Sequence, residues 1–279
     1  MLAAILICGA TTMLTSCCKN DNPADDNITP KVFRLAQTHA SVDSGEEDWY
    51  SFLYDDQGRV VSNVGIVALD PGKNVATGYT YSYEDNTIVA LGIASSTGYV
   101  YVLNDKGLIA EVKQGTLENA EEFKLLYKYE YDSKGRMIAV GNGDMIHTML
   151  TWNDDDDLVS TEVGDQSVTV NKTSFTWSDQ RVEQGYFLPL LESLDESLYR
   201  MGHYGVRPKH LLAQMTVTTK GDLLGKTMET NIVRKYDYTL ENGLVTTMEM
   251  NSSSKMTIGD ITTEKQNRKK YSFVWEEVK

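Results

Sequence analysis

The residue types able to carry chemistry in this 279-residue chain are few and poorly grouped. The densest cluster is Asn153-Asp154-Asp155-Asp156-Asp157, a set of hard oxygen ligands of the kind calcium prefers. It lacks the Asp-x-Asp-x-Asp-Gly spacing and the distal glutamate of a calcium loop. Between Trp152 and Leu158 it occupies the place of a turn, so Asp154, Asp155, Asp156 and Asp157 stand only as weak metal candidates and no metal is expected. The histidines are scattered at His39, His147, His203 and His210, and the last two, flanking Arg207-Pro208-Lys209, do not have the spacing of a zinc pair. Glu46-Glu47, Glu121-Glu122 and Glu276-Glu277 are adjacent acids, which on a strand point to opposite faces and cannot flank one glycosidic bond. No Gly-x-Ser-x-Gly elbow and no phosphate-cradling glycine loop occurs. The expectation is a protein without catalytic residues or cofactor.

Binding is a different matter. His203, Tyr204, Arg207, Lys209 and His210 make a locally basic loop in an acidic protein and are the candidate binding residues. The same loop, with Gly202, Gly205 and Pro208, would equally serve to route the chain from a helix into a strand. Tyrosine and tryptophan stack on sugars and anchor interfaces, so a glycan, an apolar ligand or an envelope protein are the partners to consider, against the plainer reading that the aromatics fill the core.

The cysteines give an address. Residues 1–16 carry no charge, run through Leu2-Ala3-Ala4-Ile5-Leu6-Ile7 and end in small residues, as an export signal does. Their apolar stretch is shorter than a membrane-spanning helix requires. Leu14-Thr15-Ser16-Cys17 resembles the lipobox of bacterial lipoproteins, which makes Cys17 the expected lipidated residue and residues 17–30 a polar tether. Cys8 falls in the signal and Cys18 beside the anchor, so residues 31–279, read as a single domain, have no thiol for a disulfide, a metal or a nucleophile. The expected location is the outer membrane, reached through the lipid alone, with the periplasmic or surface face left open. A net charge of -14 repels phosphate backbones and excludes nucleic acid as a natural partner.

The elements that must position any site are announced by one repeated unit. Tyr127-Lys128-Tyr129-Glu130-Tyr131-Asp132-Ser133-Lys134-Gly135-Arg136 alternates aromatic and polar residues and then turns; Tyr50 to Arg59 is a near copy. Aromatic alternation returns at Tyr79 to Tyr83, Tyr99 to Leu103, Phe175 to Trp177, Tyr236 to Tyr238 and Tyr271 to Trp275. Period two marks strands with one buried face. Asp55 to Gly58, Glu84 to Asn86, Asn104 to Gly107, Asp132 to Gly135, Asn153 to Asp157, Ser178 to Gln180 and Glu241 to Gly243 supply turn residues. The fold class is therefore all-β, an antiparallel hairpin meander that curls into a full or partial barrel to remove its edges. One stretch breaks the period: Pro189, Leu190, Leu191, Leu194, Leu198 and Tyr199 fall at helical spacing before Gly202, predicting one short helix near 189–201.

The string Tyr-x-Tyr-Asp-x-x-Gly-Arg is similar to the YD repeats of Rhs-type shells. Hairpins with this turn, interrupted by one helix and followed by Leu198-Tyr199-Arg200-Met201-Gly202-His203-Tyr204-Gly205-Val206-Arg207-Pro208, more closely resemble a family of secreted Bacteroidetes proteins catalogued as domain-of-unknown-function 4595 and described as porin-like in fold. That resemblance implies a β-rich lipoprotein with no assigned catalytic residues. The reading is a non-catalytic envelope lipoprotein that binds a ligand or partner, with a structural component of an envelope complex as the alternative and a glycan-active enzyme as a remote third.

Overall fold

The even strands of this protein share three levels of inward side chains, and that regularity builds a barrel. The computed structural model describes residues 31–42, 47–70, 73–116, 123–143, 145–164, 170–181, 191, 193–223 and 225–278. The signal segment, Cys17 and the tether lie outside those residues, as do Pro189 and Leu190. Residues from Val32 onward form one unit.

Sixteen antiparallel strands close in sequence order: β1 (Phe33–Val42), β2 (Glu47–Tyr54), β3 (Val60–Asp70), β4 (Lys73–Glu84), β5 (Thr87–Gly92), β6 (Thr97–Leu103), β7 (Ile109–Thr116), β8 (Lys124–Tyr131), β9 (Met137–Asn142), β10 (Met145–Trp152), β11 (Leu158–Gly164), β12 (Val170–Arg181), β13 (His210–Leu223), β14 (Lys226–Glu241), β15 (Leu244–Ile258) and β16 (Ile261–Glu277). β16 returns to β1, pairing Glu277 with Phe33 and Lys269 with Val42. The curled meander of the sequence reading is thus a full barrel.

Three tiers of inward side chains follow from period two on the even strands. The middle tier, Phe52, Tyr81, Tyr101, Tyr129, Leu150, Phe175, Tyr236 and Phe273, is buried on every even strand. The tier below it, toward the rim of the Asp-x-x-Gly-Arg turns, is Tyr54, Tyr83, Leu103, Tyr131, Trp152, Trp177, Tyr238 and Trp275. Seven of these eight donate to a main-chain carbonyl on the preceding strand. Hydroxyls of Tyr54, Tyr83, Tyr131 and Tyr238 reach the carbonyls of Leu35, Val60, Ile109 and Leu212 at 2.7–2.9 Å. The indoles of Trp152, Trp177 and Trp275 reach Met137, Leu158 and Val245 at 2.7–2.8 Å. Each bond ties one hairpin to the hairpin before it. The last aromatic of the repeat is a staple between repeats.

The turns at that rim share one design. Asp55 Oδ1 accepts from the amides of Gln57 and Arg59 while Oδ2 takes the Arg59 guanidinium at 2.8 Å, and Asp132 does the same for Arg136. Asn104 and Asn153 close their turns through the same pair of backbone bonds. The fourth position needs a left-handed backbone, met by Gly58, Gly107 and Gly135 at φ between +74° and +80° and by Asp156 at +62°.

Two expectations are corrected. Ser178 to Gln180 is not a turn, because β12 runs through it to Arg181. Serine and aspartate there end a strand instead of reversing it. The helix, α1 (Glu196–Arg200), is a single turn and a half, narrower than 189–201. Asp195 has an extended backbone and accepts from the Leu198 amide, so it is the cap and not an interior residue, and Leu191 and Leu194 before it line the lumen without helical geometry.

The wall is uneven in height. Strands β5 to β11 have six to eight residues, whereas β13 to β16 have fourteen to seventeen and rise well past the opposite rim. The outer face carries the cross-strand pairs Glu162–Lys172, Lys220–Glu229 and Lys255–Glu264 at 3.1–4.0 Å beside exposed apolar residues such as Leu53, Met149 and Val274. Such exposed pairs add little stability.

Candidate functional site

Within the connection from β12 to β13, the described residues 193–209 stand in the lumen and stop it from the turn-bearing rim. Leu198 is fully buried and Tyr204 is 1% exposed, so the helix is held by the aromatic tiers around it. Polar bonds fix its height. Asp195 accepts from the hydroxyls of Tyr81 at 2.9 Å and Tyr101 at 3.2 Å as well as from the Leu198 amide at 3.0 Å. Asn63 donates to Ser197 Oγ at 2.9 Å, Tyr129 donates to the Ser193 carbonyl at 2.7 Å, and the Asp195 amide donates to the Tyr204 hydroxyl at 3.2 Å. Burial pushes the Asp195 carboxyl above the usual carboxylate value. Burial likewise raises Tyr81, Tyr101 and Tyr204, so that Tyr81 and Tyr101 stay protonated and serve as donors to Asp195.

The basic loop lies along the seam between this plug and the turns. The His203 carbonyl accepts from the Ile109 amide at 2.8 Å, and its ring Nδ1 lies 3.2 Å from the Gly107 carbonyl; burial lowers the ring's pKa. Tyr204 meets Tyr129 edge-on with centroids 5.2 Å apart. Arg207 donates to the Arg200 carbonyl at the end of the helix. Lys209 pairs with Asp156 at 2.8 Å, while its amide and the His210 ring both bond the buried Asp157, the latter at 2.6 Å. Two of the four aspartates weighed for a metal are thus committed to groups of the loop, and Asp154 and Asp155 are exposed turn residues. His39 is stacked against Trp49, far in sequence from the others. The five loop residues do come together, but as fastenings. None of them lines either cavity described next.

Above the plug the lumen is hollow. One lobe, of about 440 Å³, has Tyr50, Tyr79, Tyr99 and Tyr127 in its wall with Asn63, Thr77, Ser193, Asp195 and Glu196. A second, of about 410 Å³, is walled by Val140, Thr148, Val163, Thr173, Leu191, Met215, Val217, Ile232 and Arg234. Tyr127 and Ser193 belong to both. The division follows the third tier of the even strands, which reads Tyr50, Tyr79, Tyr99, Tyr127, Thr148, Thr173, Arg234 and Tyr271 around the barrel. Four consecutive tyrosines make one side and threonine with arginine the other. Gly65, directly opposite Tyr50, gives its ring room: a Cβ there would lie 2.3 Å from the ring. Burial raises Tyr50 and pushes Tyr79 up to about 12. Asp195 was absent from the sequence reading, as was the split of this tier; the changing occupant of the first aromatic position in each repeat was the signal that could have revealed it.

A closed sixteen-strand barrel with a stoppered lumen places the protein among porin-like β-barrels. The family described as a domain of unknown function (DUF4595) with porin-like fold matches residues 52–247, and the chain belongs to it. Among solved structures it is similar to a porin-like protein from Bacteroides vulgatus, at 12% identity over 86% of this chain and 98% of that one, with a TM-score of 0.48. No curated protein matches the chain.

Proposed function

We propose that this protein is a non-catalytic envelope lipoprotein that binds a small ligand in the hollow half of its lumen. The observation that carries the reading is the cavity beside the helix with half-exposed tyrosines in its wall. A barrel of this strand number ordinarily encloses a channel, whereas here the plug converts the lumen into a cup. Catalysis is disfavoured by the use of the acids: Asp195 is bonded to two phenols and an amide, and Glu196 to Arg200. Lipidation at Cys17, export to the outer membrane and a mouth open to either face of it belong to the same proposal. The ion pairs on the outer wall support attachment through a lipid in place of a spanning barrel.

The test is a thermal-shift screen of the full chain against glycans, apolar molecules and small charged organics. A true ligand at a hundredfold excess over its Kd should stabilise the fold by about 2.7 kcal/mol. Silence across the screen together with a stoichiometric protein partner in a pull-down would replace this reading with the second one, a structural component of an envelope complex. The tall wall favours that alternative: Met228, Ile258 and Ile261 are cross-strand neighbours near its tip, with Ile261 67% and nearby Met256 40% exposed.

A further inference from the structure

We infer that the tyrosine lobe receives an organic cation, an alkylammonium group, as the head of the ligand; this refines the ligand-binding reading and rests on it. The wall supplies the negative faces such a group requires. Tyr79 and Tyr99 meet edge to face at 5.7 Å, and with Tyr50 and Tyr127 they occupy the same tier on four successive even strands. The floor supplies carboxyl oxygens. Asp195 and Glu196 both line this lobe, and among its described lining residues there is no lysine or arginine. The partners of Asp195 are two phenols and a backbone amide, all neutral, so no cation of the chain is bonded to this carboxyl. Glu196 is bonded by Arg200, whose guanidinium lies 5.7 Å from the ring of Phe52, itself part of the lobe's lining.

The barrel already uses this chemistry on itself. Arg34 stands over Tyr54 at 4.6 Å, Arg59 over Tyr83 at 4.4 Å, and Lys269 over Tyr271 at 5.2 Å. Tyr271 belongs to the same tier as the four tyrosines of the lobe, and there the cation comes from the chain. In the lobe the equivalent position opens on a cavity. The other lobe is unsuited to a cation because Arg234 stands in its wall, but its valines, Leu191, Met215 and Ile232 suit an apolar remainder reached past Tyr127 and Ser193. A net charge of -14 draws cations toward the molecule at long range.

Titration calorimetry of the full chain with choline and with its uncharged carbon isostere, 3,3-dimethylbutan-1-ol, tests the assignment. Choline should bind about tenfold or more tightly than the isostere, the advantage expected of a desolvated cation on aromatic faces. Tyr99→Leu should abolish that advantage and Tyr99→Phe should retain most of it, since the ring and not the hydroxyl carries it. Equal binding of the two probes, or a choline preference unchanged in Tyr99→Leu, would overturn the cation assignment. A neutral glycan or apolar ligand found in the wider screen with choline inactive would sink the cation head but leave the ligand-binding cup standing. Failure of every small molecule would remove both.

Discussion

Tyr131 and Tyr81 put the same hydroxyl to two uses. Tyr131 donates 2.7 Å to a main-chain carbonyl in the lowest tier, and its loss is local. Tyr131→Phe should lower unfolding free energy by about 1 kcal/mol, read as a shifted denaturant midpoint with unchanged slope. Tyr81 instead donates to Asp195, a carboxylate held above its ordinary pKa by burial. An acid raised in the folded state binds more protons folded than unfolded. Its contribution is most favourable below the unfolded value and declines as pH rises through the folded one. Stability of the wild type relative to Asp195→Asn should therefore improve as pH is lowered from 7 toward 4; a difference flat across that range in chemical denaturation would contradict the burial of this charge. Gly205 is the harshest single position of the plug. At φ +83° a Cβ would stand 2.1 Å from the Gly135 carbonyl, so Gly205→Ala should cost at least about 2–3 kcal/mol, measurable by the same method.

At the level of elements, the hairpins were legible and the plug only half so. Tyr127 to Arg136 announces its strand and turn because both are made by residues adjacent in sequence, and the Asp132–Arg136 clasp closes within four positions. Ser178-Asp179-Gln180 has turn composition too, yet continues as strand, since whether such a segment reverses depends on what the chain meets next. The importance of Asp195 could not be read locally: its partners Tyr81 and Tyr101 are 114 and 94 residues away and converge only when the barrel closes. The basic loop stood out for its charge, and charge fastens Lys209 to Asp156, while Asp157 is held by the amides of Lys209 and His210 and by the His210 ring. The helix tests the plug as a unit. Leu198→Ala removes a fully buried side chain and should destabilise the domain by about 2–5 kcal/mol, with faster acrylamide quenching of the aromatic tiers if the stopper loosens.

For the molecule as a whole, the alternation of sixteen strands describes a porin's outline, and the contents of the lumen deny it a porin's passage. Membership of the family settles the outline and leaves the ligand to experiment. Attachment is separately testable: a fatty-acid analogue should label the full chain and not Cys17→Ala, and label persisting in that variant would move the anchor to Cys18 or elsewhere. Both ends of the barrel's chain meet at the plugged rim, where the Val278 amide donates 2.8 Å to the Val32 carbonyl. The seam between β1 and β16 is in that respect one more hairpin awaiting its loop. A short covalent link across it, with a new opening at the exposed Gly259–Asp260 turn, should yield a circular permutant of the same barrel whose free ends emerge beside the mouth. Which rim a surface or a fused domain is tied to is thereby a matter of where the circle is cut.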